Sequence, residues 1–101
     1  MRIEFYKTPA GNKPVEEFIL SLSVPDQAIV KEISEGVERE GTRYPYATFK
    51  PLSGKLWEIK FKSVTGQYRI AYVIITGPKM YWLHAFKKKT RKTPPRELEL
   101  A

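Results

Sequence analysis

The amino-acid sequence predicts an α+β fold in which a helical hairpin covers one face of a mostly antiparallel sheet, and three patterns support that class. The stretch from Leu56 to Lys92 reads as three successive strands ending in a run of cations. Ahead of it, two apolar stripes recur at helical spacing, over about Pro14 to Leu22 and from Ser23 to Gly41. Ahead of both, Met1 to Lys7 alternates apolar and polar residues as a first strand. The expected order is β-α-α-β-β-β, closed by a short helix over Arg96 to Ala101, in a single domain spanning residues 1–101.

Each element has a local reason. In the first strand Ile3 and Phe5 alternate with Arg2 and Glu4, and its partner must lie elsewhere in the sheet. Thr8 to Asn12 is a turn around Pro9 and Gly11. Pro14 suits a first helical turn, Val15, Phe18, Ile19 and Leu22 share a face, and Glu16 and Glu17 sit at the positive end of the dipole. Ser23 is the expected cap of the second helix, whose stripe is Ala28 or Ile29, Ile33 and Val37. Gly41 stops that helix, and Gly36 should fray its last turn at a cost of about 1 kcal/mol relative to Ala. Thr42 to Lys55, with Pro45, Pro51 and Gly54 among Tyr44, Tyr46 and Phe49, reads as an irregular connection. Trp57 to Lys62 alternates Trp57, Ile59 and Phe61 with Glu58, Lys60 and Lys62, as in a strand buried on one face. The apolar runs Tyr68 to Ile75 and Met80 to Phe86 suit central strands covered on both faces. Thr93-Pro94-Pro95 then breaks the pattern.

Composition narrows the function. The chain has 101 residues, 42% of them hydrophobic, and no cysteine, which removes disulfides and thiolate metal sites and fits a reducing, cytoplasmic setting. One histidine makes a zinc site built from protein alone improbable, and no cofactor motif is present. Met1 enters the strand pattern at once, with no signal-peptide pattern, and no apolar run reaches the roughly 18 to 20 residues that cross a bilayer. Neither membrane nor metal is expected as a partner. The net charge of +7 is uneven. Residues 1–49 hold six Lys or Arg against eight Asp or Glu, whereas residues 50–101 hold twelve against three. A sheet so charged attracts phosphate backbones or acidic protein surfaces.

Arg69 is the first residue to explain, because a cation inside an apolar strand is costly unless compensated. If Ser63 to Gly66 forms a four-residue loop, Lys62 lies opposite Gln67 and Lys60 opposite Arg69; one residue more pairs Lys60 with Ile70 and scatters the group. Directly opposed cations repel, so the first register makes sense chiefly with an anion between them. Alternatively, Lys60 and Lys62 are solubilising edge lysines. The sheet face away from the helices is expected to carry Lys60, Arg69 and the cations after Phe86, and Lys87, Lys88, Lys89, Arg91 and Lys92 read either as a solvated run or, with Lys55 and Lys62, as a phosphate-binding rim. His84 suits a core histidine better than a general acid or base, and Glu58 suits a partner for Lys60 or Arg69 better than a weak base.

Taken together, PLSGKLWEIKF, GQYRIAYVI and WLHAFKKKTRKTPPRELELA, with MRIEFYKTPAGNKPVEEFILSL before them, resemble the RelE/ParE superfamily of toxins, most of all the HigB branch and its phage-derived Gp49-like relatives. The resemblance implies a small α+β domain like microbial ribonucleases that cleaves mRNA in the ribosomal A site, without metal. It also implies neutralisation by a cognate helix-turn-helix antitoxin. The family's strand lysine falls on Lys60, its arginine on Arg69 and its basic residue after the last strand on Lys88. Two positions depart: a second strand lysine is Glu58 here, and the C-terminal tyrosine of some members falls near Pro94, with no tyrosine after Tyr81. A ParE-like inhibitor of DNA gyrase, or a phage-derived nucleic-acid-binding protein without catalysis, remain the alternatives.

Overall fold

The structure, a computed structural model, describes residues 1–63 and 65–88, with the side chain of Lys88 left aside. The elements are β1 (Arg2–Phe5), α1 (Pro14–Leu20), α2 (Val24–Glu40), a 3-10 turn (Gly41–Arg43), β2 (Thr48–Ser53), β3 (Leu56–Ser63), β4 (Gly66–Ile74) and β5 (Lys79–Lys88). They form one sheet in the order β1-β5-β4-β3-β2. The first strand finds its partner at the far end of the chain: β1 runs parallel to β5, with Ile3 beside Met80 and Phe5 beside Trp82, while the other three pairings are antiparallel. The expected α+β class, mostly antiparallel, is the observed one. The closing helix expected over residues 96–101 lies outside the described residues.

Two expectations are corrected. Thr42 to Lys55 is not wholly irregular, because β2 pairs with β3 from Thr48↔Lys60 to Ser53↔Leu56. Pro51 concealed it: proline lacks a donor and is tolerated only at an edge or bulge, and β2 is the edge strand with its register shift between Pro51 and Ser53. Gly36 is not simply a weak point of α2, which continues past it to Glu40 and ends at Gly41 with φ 64°. The ring of Tyr44 lies where a Cβ on Gly36 would stand, so this glycine is a seat for an aromatic side chain.

The core lies between the helices and one sheet face. Val15, Val30, Ile33 and Val37 meet Ile59, Phe61, Tyr68, Ile70, Tyr72, Met80, Trp82 and Ala85. Burying side chains of this size is worth about 1.5–3 kcal/mol each, which is what holds the short α1 in place. Burial also pushes the Tyr72 phenol up to about 12. One irregularity matters most. Between Ala71↔His84 and Tyr72↔Trp82 the β4–β5 register slips by one residue, which places Leu83 in a bulge. Met80 and Trp82 therefore face the helices, and His84 and Phe86 turn to the opposite side. Regular alternation would have put Trp82 and His84 on one face.

The N-terminus of α2 is tied to the tip of the β3–β4 hairpin. Ser23 caps the helix by accepting from the Asp26 backbone N–H at 3.4 Å. The buried Asp26 carboxylate accepts from the Thr65 hydroxyl at 2.5 Å and from the Tyr68 phenol. Those two bonds hold its pKa below the ordinary 3.8 despite burial.

Two outcomes are expected. Gly36→Ala should lower the urea midpoint by a net loss of up to about 2 kcal/mol, since overpacking of about 1–3 kcal/mol exceeds the helix-propensity gain of about 1 kcal/mol. In a Tyr44→Ala background the same change should raise it. For Asp26, a depressed folded pKa means stabilisation that is complete above the unfolded value and lost as pH falls through the folded one. Urea titrations of Asp26→Asn should show lower stability near neutrality and a flatter dependence between roughly pH 5 and pH 2.

Candidate nucleic-acid interface

The sheet face turned away from the helices is ordered in three rows, because directly opposed residues in antiparallel strands share a face. Lys62, Gln67 and the backbone position of Lys88 form the first row. Thr48, Lys60, Arg69 and Phe86 form the second, and Lys50, Glu58, Ala71 and His84 the third. The hairpin thus takes the register that sets Lys60 against Arg69.

The compensation for that like-charge pair is built in. Arg69 Nη1 donates to Glu58 Oε1, one row away on the neighbouring strand, in an ion pair that leaves Arg69 only 3% and Glu58 1% exposed. Glu58 therefore holds the partner role expected of it, at the position where the resemblance has a second lysine. Removing two charges from water costs several kcal/mol per ion, recovered only when geometry and hydrogen bonds are good. Here the compensation is incomplete: Arg69 Nε is buried without a hydrogen-bond partner among the described residues. A guanidinium has five donors, and here Nη1 is given to Glu58 while the Nε–H is the one left over.

The remaining candidates divide. Lys60 is half-buried and Lys62 exposed; both line a hollow of about 320 Å³ with Pro45, Tyr46, Ala47, Thr48 and Phe61. Lys62 is on this face by register, but Lys87 is not. Lys87 opposes Tyr68, its Cε would meet a Cβ added to Gly66, and its charge acts on Asp26. The expectation that every cation after Phe86 shares the face of Arg69 is thus corrected at Lys87, since alternation sends it to the helix side. Lys55 sits by the β2–β3 turn and lines a different hollow with Trp57, Tyr72 and Ile74. Five residue steps separate it from Lys60, about 17 Å along an extended chain. His84 is half-buried and stacks on Phe86 with ring centroids 5.8 Å apart. Lys89, Arg91 and Lys92, and the side chain of Lys88, lie outside the described residues. Tyr46, 76% exposed, was not singled out by sequence because it fell in the stretch read as a connection.

Among the described residues, no group of three or more His, Asp or Glu is placed to hold a metal, and no helix is long and apolar enough to cross a membrane. The arrangement offers fixed positive charge and hydrogen-bond donors beside exposed aromatic surface, which suits a phosphate-bearing chain.

A five-stranded, mostly antiparallel sheet with two helices on one face and cations on the other is consistent with the RelE-like class of toxin folds. More particularly, residues 17–101 match the family described as Phage derived protein Gp49-like (DUF891), and the chain belongs to that family, whose members are RelE-like and toxin-like. No curated protein matches the chain.

Breaking the buried pair from one side should be costly. Glu58→Gln leaves a buried guanidinium without its carboxylate and is expected to lose about 3–5 kcal/mol in urea unfolding, whereas a Glu58→Leu/Arg69→Met double variant should recover most of that loss.

Proposed function

We propose that the chain is the toxin of a type II toxin–antitoxin system, a ribosome-dependent endoribonuclease that cleaves translated mRNA and is neutralised by a cognate helix-turn-helix antitoxin. Membership of a toxin-like family supports the coarse reading. The observation that carries the finer one is the Lys60↔Arg69 register, with Lys62 and Gln67 in the adjoining row and a donor of Arg69 unspent.

In this reading the 2′-hydroxyl of one nucleotide attacks its own 3′-phosphate. The 2′-oxygen–phosphorus bond forms, the bond to the 5′-oxygen breaks, and the products are a 2′,3′-cyclic phosphate and a 5′-hydroxyl that takes up a proton. Negative charge grows on the non-bridging oxygens meanwhile. Arg69, oriented by Glu58 through Nη1, offers Nε–H to one of them. Lys60, opposite it, supplies the second positive charge, and Lys88 a third from the end of β5. His84, two strands from Glu58 in the third row, is the auxiliary group for proton transfer. With so few acid–base groups, positioning by the ribosome carries much of the rate.

The enclosure of Arg69 favours one second reading, a face that holds phosphates through Lys60 and Lys62 without cleaving. Primer extension on translated mRNA separates the two. Wild type should create new 5′ ends, and Lys60→Ala, at a half-exposed position that should leave the melting temperature unchanged, should reduce them by about 10²-fold. Arg69→Ala must be compared with the Glu58→Leu/Arg69→Met pair, because a lost fold would also abolish cleavage. RNA binding and growth arrest without new ends would favour simple binding, and inhibition of purified gyrase in a supercoiling assay would favour a ParE-like inhibitor.

A further inference from the structure

The ladder between β2 and β3 begins at Thr48↔Lys60, yet β3 runs three residues further, to Ser63. Pro45 to Ala47 diverge from its open edge, and the gap is the hollow of about 320 Å³ floored by Phe61 and flanked by Lys60 and Lys62. Tyr46, at the position that would oppose Lys62 had the ladder continued, stands on its rim. Tyr46 is 76% exposed, and its ring meets that of Tyr44 in a T-shaped contact, with centroids 5.6 Å apart at an interplanar angle of 70°. Tyr44 in turn is seated on Gly36 of α2. A ring engaged by a neighbouring aromatic and yet this exposed leaves surface open to a ligand.

We propose that this hollow is a nucleotide subsite for single-stranded RNA: a base stacks on Tyr46 while the phosphate that follows it rests between Lys60 and Lys62. The inference rests on the nuclease reading above and adds to it the residue that positions the strand. Three features select this occupant. Stacking on an aromatic face combined with lysines spaced along a strand is the chemistry that holds unpaired bases and their backbone. Paired bases do not expose a face to such a ring. The charge on the two sides of Tyr46 also differs, because the depression behind it sets Lys31 and Arg39 against Glu32 and Glu35 and is balanced, whereas the hollow carries Lys60 and Lys62 with no carboxylate among the described residues of its lining. A phosphate is therefore drawn to the lysine side, which gives the bound strand one direction across the sheet, from Tyr46 toward the Lys60–Arg69 row.

The test is fluorescence anisotropy of a fluorescein-labelled single-stranded RNA hexamer with the purified protein at low salt, without ribosomes. Tyr46→Ala should weaken binding about 5- to 100-fold. Tyr46→Phe should stay within about twofold, since the ring face and not the hydroxyl makes the contact. An abasic hexamer should bind wild type and Tyr46→Ala alike. Unchanged affinity for Tyr46→Ala, an equal loss in Tyr46→Phe, or the same Tyr46 dependence on the abasic strand would each overturn the proposal. So would a poly-glutamate peptide that binds with the same dependence on Tyr46, which would make the hollow a protein-docking site. Melting curves confirm that the variants fold. Tyr46-dependent binding without cleavage in primer extension would remove the nuclease reading and keep the subsite, whereas cleavage with Tyr46-independent binding would remove the subsite alone.

Discussion

The buried Glu58–Arg69 ion pair sets the terms for the whole sheet face. A lone arginine at that position would be an uncompensated charge in the central strand of five, and it would repel Lys60 directly opposite. Glu58 removes both problems at once, and it does so from the neighbouring strand, so the pair also fixes the β3–β4 register. A slip of one residue would carry Glu58 and Lys60 to the helix side and bring Ile59 and Phe61 out of the core. The functional cost is that Arg69 is not a freely offered cation. What remains, among the described residues, is one unpartnered donor, Nε–H, held in a defined direction, and a preorganised donor needs little rearrangement when charge develops beside it.

The bulge at Leu83 is the second device. Strand β5 must serve two masters: Met80 and Trp82 complete the core, and its later residues must reach the opposite face beside Arg69. Strict alternation cannot do this, since residues separated by an even number share a side. One inserted residue reverses the phase, so that His84 and Phe86 flank the ion pair while Ala85 fits under the helices. The same reversal sends Lys87 to the helix side, next to Asp26 and Tyr68. Adjacent cations in the sequence are therefore unequal in the fold.

Much of this was legible in the residues, and the failures have physical causes. The helices were marked by Pro14, Ser23 and Gly41, and β3 by its period of two. Glu58 was recognisable as a partner because Arg69 demanded one. Strand β2 was hidden by Pro51, whose cost depends on whether the strand lies at an edge, a fact that tertiary pairing alone decides. Gly36 was read through helix propensity, a local quantity, whereas its role depends on a Tyr44 ring arriving from another segment. The face of Lys87 depended on a bulge that Leu83 does not announce. Tyr46 was overlooked for the same reason as β2: without the strand, nothing placed it beside Lys60 and Lys62.

Helix α2 contributes no side chain to the cation-bearing face, yet it controls both ends of it. At its N-terminus Asp26 grips Thr65 and Tyr68 and so steadies the hairpin tip that carries Lys62 and Gln67. Near its C-terminus Gly36 seats Tyr44, which braces Tyr46 at the rim of the hollow. The core stripe Val30, Ile33 and Val37 lies between those two points and locks the helix to the sheet. Loops that handle ligands are held with precision when they are attached to a rigid element at more than one place. A single helix packed on the far side of the sheet can thus keep two separated edges of one surface in register. A change in α2 that leaves the core intact can still loosen the surface on the other side.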